Sequence, residues 1–141
     1  MAFLIRIAKK GKLMKIEHLG LQVAEPAAIA DWYVDNFGFS IKRAADAPVP
    51  VRFLADCDGN VMLEVYYNPK YPVPDYSSME PARFHLAFVC DDLDAAKQRL
   101  VAAGATIVKE LETNDLGDRL AMLRDPWGMA IQLAHRGTPM V

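Results

Sequence analysis

The chain has 141 residues and a formal net charge of −2, with 52% hydrophobic and 24% charged residues. It can bury a core and is too apolar to be disordered; its slightly acidic balance argues against a nucleic-acid-binding surface, and no apolar run approaches the ~20 residues of a membrane span. Cys57 and Cys90, far apart and each in an apolar run, read as buried reduced thiols of a cytoplasmic protein, not as a disulfide framework or a zinc knuckle.

Residues 1–14 are short, basic and apolar and read as an N-terminal extension, with Met14 as the start of the regular chain. Arg6 interrupts the apolar part and three lysines follow it, which is not the layout of a secretory signal. Residues 16–23 alternate as a half-buried strand. Pro26 opens a helix at its favoured first-turn position, Ile29, Trp32, Tyr33 and Phe37 recur at helical spacing, and Gly38 closes it. Strands follow at 39–43, 51–57 and 61–67, the last two joined by the Asp58-Gly59 hairpin signal.

Residues 68–82 hold four prolines and two tyrosines and read as a linker or a lid. The order then repeats. A strand covers 83–90. Asp91 or Asp92 caps a helix with Leu93, Ala96, Leu100 and Ala103 on one face, and Gly104 ends it. Strands are expected at 105–109, 118–124 and 129–135, the last pair joined by Asp125-Pro126-Trp127-Gly128. The chain therefore reads as an α+β protein of tandem βαβββ modules, 15–67 and 83–135, with a tail at 136–141. His18 and His85 stand 67 residues apart, Glu64 and Gln132 stand 68 apart, and Gly38 and Gly104 stand 66 apart. A period this long marks a duplicated module.

Side chains two apart on a strand share a face. The first, fourth, fifth and eighth strands each have one wholly apolar face, which the helices should cover. Their other faces carry His18, Glu64, His85 and Gln132 respectively. Singly, each reads most simply as a hydrogen-bonded or solvated residue. Their equivalent places in the repeat favour a shared site, whereas His135 lies on the opposite parity from Gln132 and reads as peripheral. Two imidazoles, one carboxylate and one amide oxygen suit a divalent ion such as Zn, Ni, Co, Mn or Fe. Tyr66 shares the face of Glu64. Arg52 and Arg119 stand 67 apart and could meet an anionic substrate; Tyr71 and Tyr76 could contact substrate from the lid.

This arrangement resembles the vicinal oxygen chelate superfamily, which includes glyoxalase I, extradiol dioxygenases and bleomycin-resistance proteins. Trp32–Phe39 (WYVDNFGF) and Arg124–Leu133 (RDPWGMAIQL) look like its local signatures, and the resemblance spans residues 15–135. It implies a curled mixed sheet around a cleft, a homodimer, and a metal held by His18, Glu64, His85 and Gln132. In bacterial-type glyoxalases the fourth position is normally glutamate. An amide ligates but does not shuttle a proton at neutral pH, so the resemblance leaves Glu64 as the base. The implied activity is a metal-dependent lyase or isomerase acting on a small substrate with vicinal oxygens, by proton abstraction alpha to a carbonyl. The alternative is a non-catalytic binder of drugs or antibiotics, and a dioxygenase matches less well. No organic cofactor, nucleic-acid partner or membrane partner is implied.

Overall fold

A computed structural model of the chain describes residues 4–6, 11 and 14–141. Most of the expected N-terminal extension lies outside the described residues; Leu4 and Ile5 within it are exposed. The element order is β1 (His18–Gln22), α1 (Pro26–Phe37), β2 (Ser40–Ala45), β3 (Val51–Ala55), β4 (Met62–Tyr66), then β5 (Leu86–Val89), α2 (Leu93–Ala102), β6 (Thr106–Thr113), β7 (Arg119–Arg124) and β8 (Ala130–His135). The strands form two four-stranded sheets, ordered β1-β4-β3-β2 and β5-β8-β7-β6. In each sheet the first and last strands of the module pair in parallel and the other neighbours are antiparallel. The α+β tandem-module reading therefore holds, with each module closing its own mixed sheet.

Local chemistry explains the boundaries. Pro26 stands in the first turn of α1, and Gly38 takes the left-handed conformation at its C-cap with φ +69°. Asp92 caps α2 by accepting from the Ala95 amide. The Asp56 carboxylate accepts from the amides of Asp58 and Gly59 and shapes the β3–β4 turn. Cys57 lies just beyond β3 and is exposed, and Cys90 is partly exposed, so the expectation of two buried thiols is corrected. The hairpin turn takes up the end of the apolar run that suggested a longer strand.

One core joins the modules. Leu54, Val65, Leu93, Leu100, Leu123, Ile131 and Leu133 are fully enclosed on the helix-covered faces. Helix α1 reaches across to the second module. Phe37 packs on Phe88 with ring centroids 4.5 Å apart, and the Trp32 indole donates to the Ala103 carbonyl at 2.9 Å. The Tyr33 hydroxyl donates to Asp125 Oδ2 at 2.9 Å inside the core. The other oxygen, Oδ1, accepts from the Trp127 and Met129 amides, each at 2.9 Å, and so holds the Asp-Pro-Trp-Gly turn. Burial pushes the Asp125 carboxyl above its usual range, against the pull of these donors. Burial, and then the Asp125 charge, push the Tyr33 phenol well above 10.

Residues 68–82 are pinned. The Gln22 amide donates to the carbonyls of Asn68 (2.7 Å) and Tyr71 (2.9 Å) and accepts from the Asn68 amide (2.9 Å). The Tyr76 hydroxyl donates to the Gln22 carbonyl at 2.8 Å. Arg124 donates to the carbonyls of Tyr76 (3.0 Å) and Met79 (2.8 Å). A short 3-10 turn at Tyr76–Ser78 rests on Gly128, where a Cβ would lie 2.7 Å from that of Ser77. The segment is a strap tied to both modules.

Candidate functional site

The open face of the first sheet holds the candidate chemistry. Register places Gly20 beside Glu64, Glu64 opposite Phe53, and Tyr66 opposite Val51. His18 lies two residues before Gly20 on the same face. Its Nε2 is 3.3 Å from Glu64 Oε2, and its Nδ1 is 3.0 Å from Glu17 Oε1. Phe53 meets the imidazole edge to face, with centroids 5.4 Å apart. A Cβ on residue 20 would sit 3.2 Å from Glu64 Oε2 and 3.4 Å from Tyr66 Cε1, so glycine there leaves room for both side chains. Gly20, Val49, Val51, Glu64 and Tyr66 line a cleft of about 270 Å³.

The second sheet repeats this layout. Ala87 pairs with Gln132, as Gly20 pairs with Glu64, and His85 lies two residues before Ala87. His85 Nδ1 is 2.7 Å from the Pro81 carbonyl, so it carries the proton and donates, leaving Nε2 available. His85 stands one residue before β5, not within the longer strand expected from 83 onward. The turn at 81–83 that supplies its carbonyl partner delays the strand.

The divalent metal implied by the fold can be tested against these donors. A histidine with one ring nitrogen tied to an oxygen is oriented as a metal ligand is, and both histidines meet that condition. The His18–Glu64 separation suits two donors of one ion. The four donors do not meet within one chain, because His18 and Glu64 belong to one sheet and His85 and Gln132 to the other. Among the described residues no three His, Cys, Asp or Glu side chains group closely enough to hold a metal ion. Each chain thus carries two half-sets of suitable donors.

The other expected substrate contacts lie elsewhere, apart from Tyr66, which lines the cleft. Arg52 pairs in register with the buried Val65, on the helix side of the sheet, and binds Asp46 at 2.6 Å and the carbonyls of Ala45 and Val51. Arg119 lies on the helix side of its own sheet and binds Asp94 of α2 at 3.1 Å. Tyr71 points to solvent, and Tyr76 lines a small internal void with Tyr33 and Asp125. Sequence reading missed Glu17, Gly20, Val49, Val51 and Phe53. The alternation that selected Glu64 also selects Val51 and Phe53 on the neighbouring strand, and excludes Arg52.

Paired βαβββ modules with an open, polar-centred face define a glyoxalase-type fold. The sequence profile of the Glyoxalase/Bleomycin resistance protein/Dioxygenase superfamily matches residues 15–133, and the chain belongs to that family. The chain aligns at 30% identity, over 79% of its length, with the anthracycline biosynthesis protein DnrV of Streptomyces peucetius. It spans only 43% of that relative. Among solved structures, the antibiotic-binding protein TnmS3 from Streptomyces sp. CB03234 superposes with TM-score 0.70 at 21% identity, over 91% of this chain and 100% of that one. Glyoxalase I from Zea mays superposes with TM-score 0.71 at 22% identity, over 88% of this chain and 45% of that one. These likenesses concern the fold. Among the described residues no helix is long and apolar enough to cross a membrane.

Proposed function

We propose that the chain is a glyoxalase-type lyase or isomerase acting on a small substrate with adjacent oxygens, and that two copies build each site. The observation that carries this reading is the repetition of one donor layout in both sheets. In each, an oxygen-anchored histidine stands two residues before the small residue paired with Glu64 or Gln132. A homodimer that sets the first sheet of one copy against the second sheet of the other supplies His18, Glu64, His85 and Gln132 together. A divalent ion such as Zn, Ni, Co, Mn or Fe, when bound, supplies positive charge to the substrate oxygens. Glu64 is the proton acceptor: its carboxylate takes the proton alpha to the carbonyl and returns it to the adjacent carbon. Gln132 has no proton to exchange at neutral pH and only binds. Tyr66, Phe53, Val49 and Val51 exclude water from one side of the substrate. The two free cysteines support a reducing, cytoplasmic setting.

Mixing variants tests the arrangement. His18→Ala and His85→Ala chains, each inactive alone, are combined after reversible dissociation. In a two-copy site, half the dimers are mixed and each mixed dimer has one intact site, so about a quarter of wild-type metal and turnover on hemithioacetals or 2-oxo compounds should return. No recovery in a confirmed mixed dimer refutes the shared site.

A second reading is favoured by the aromatic and aliphatic lining and by the likeness to TnmS3, an antibiotic-binding protein: a binder that holds a drug-like molecule without turnover. Stable ligand binding by metal-free protein, with no turnover after metal loading, would establish it in place of the first.

A further inference from the structure

We propose that Arg43, on the open sheet face beside the Glu64 cleft, selects a ligand of that face for an anionic group, with Phe53 between them supporting a flat, apolar body; this rests on the reading of the Glu64 face as the ligand site. Arg43 of β2 stands directly opposite Phe53 of β3, which stands opposite Glu64 of β4, so all three side chains leave the sheet on the same face. The Arg43 guanidinium carbon lies 5.8 Å from the centroid of the Phe53 ring, and the His18 ring meets that same ring at 5.4 Å. A continuous row therefore crosses the open face: guanidinium, phenyl ring, imidazole, carboxylate. Strand spacing places the Arg43 and Glu64 backbones about 10 Å apart.

The charge pattern gives the row a direction. Glu17 and Glu64 flank His18 at one end, and Arg43 stands at the other. Arg52 and Arg119 are committed to Asp46 and Asp94. Among the described residues Arg43 forms no ion pair. Resting on a ring face holds a guanidinium in place without using its N–H donors. Its fork remains open to a carboxylate, which it binds in two-pronged fashion. The matching ligand class is a small organic acid with an aromatic or otherwise planar body, its carboxylate at Arg43 and its other end toward Glu64. A neutral analogue of the same shape would fill the same space and leave the guanidinium unanswered.

The test compares 2-naphthoate with 2-naphthamide, of equal shape and different charge, by titration calorimetry on the purified full chain. Wild type should bind the acid about tenfold or more tightly than the amide. Arg43→Gln should bring the two affinities together, Arg43→Lys should keep part of the preference, and added salt should shrink it. Arg43 is exposed, and unchanged circular dichroism and Tm check that the variants keep the fold. Equal binding of acid and amide by wild type, with Phe53→Leu weakening both, refutes the role of Arg43 and leaves the cleft as the ligand site. A preference that survives Arg43→Gln refutes it as well. Binding of neither probe at millimolar concentration overturns the cleft reading and this proposal together.

Discussion

Replacing Tyr33 by phenylalanine removes one oxygen from the centre of the core and leaves the ring packing in place. Tyr33 is 2% exposed and Asp125 5% exposed, and their hydrogen bond is 2.9 Å long. A hydrogen bond to a charged acceptor contributes about 1.5–3 kcal/mol. Asp125 Oδ1 keeps two backbone donors, from Trp127 and Met129, while Oδ2 loses its side-chain donor, so the loss should fall near the middle of that range, about 2 kcal/mol. For 141 residues the unfolding entropy near Tm is about 0.3 kcal/mol/K, so Tm should drop by about 7 °C at pH 7. The pH dependence follows from Asp125. Its folded-state pKa is raised above 3.8, so the folded chain takes up a proton as pH falls toward the ordinary carboxyl range. The stability tied to that proton is fully present below the unfolded pKa and is lost as pH rises through the folded value. The Tyr33 hydroxyl opposes this loss by solvating the ionised carboxylate. The gap between wild type and Tyr33→Phe should therefore be widest above the folded pKa of Asp125 and narrow toward about pH 4, where a neutral pair contributes nearer 1 kcal/mol. Scanning calorimetry of both proteins at the two pH values measures it. A Tm change under about 2 °C at pH 7, or a gap that widens on acidification, refutes the reasoning.

Other outcomes follow from the site. Glu64→Gln should abolish turnover while keeping part of the bound metal, read by elemental analysis, because an amide oxygen still coordinates; full activity would remove Glu64 as the base. Gln132→Glu adds an anionic donor to the second half-set and should tighten metal binding, measured by competition with a chelator; unchanged affinity would show that Gln132 does not ligate. Gly20→Ala puts a Cβ 3.2 Å from Glu64 Oε2, so the carboxylate must shift; Tm should change little, while metal or ligand affinity falls several-fold by calorimetry.

Much of the fold was readable because period-two alternation and the Gly and Asp punctuation act locally. Gly38, Asp92 and the two hairpin turns stand where such residues must stand. The same alternation placed His18, Glu64, His85 and Gln132 on the open faces. Repeat position alone singles out Arg52 and Arg119, and repeat position says nothing about face; Leu54, two residues from Arg52, is buried, which puts Arg52 on the helix side. The strap was not legible as tied. Its anchors join residues 46 and 54 positions apart, Gln22 to Asn68 and to Tyr76, and no local pattern encodes such pairs. His85 fell just outside its strand because Pro81 accepts from its ring, a contact set by the strap's path.

The tied strap also governs how copies of the chain can combine. Exchange of a module between two chains needs a connecting segment that can swing open as a hinge. Here that swing would break the Gln22 clamp, the Tyr76 hydroxyl contact and both Arg124 bonds, and would pull Phe37 away from Phe88. In the proposed dimer each chain would therefore meet its neighbour already folded. Assembly should follow simple second-order kinetics, with no slow unfolding phase, and dilution should return intact folded monomers.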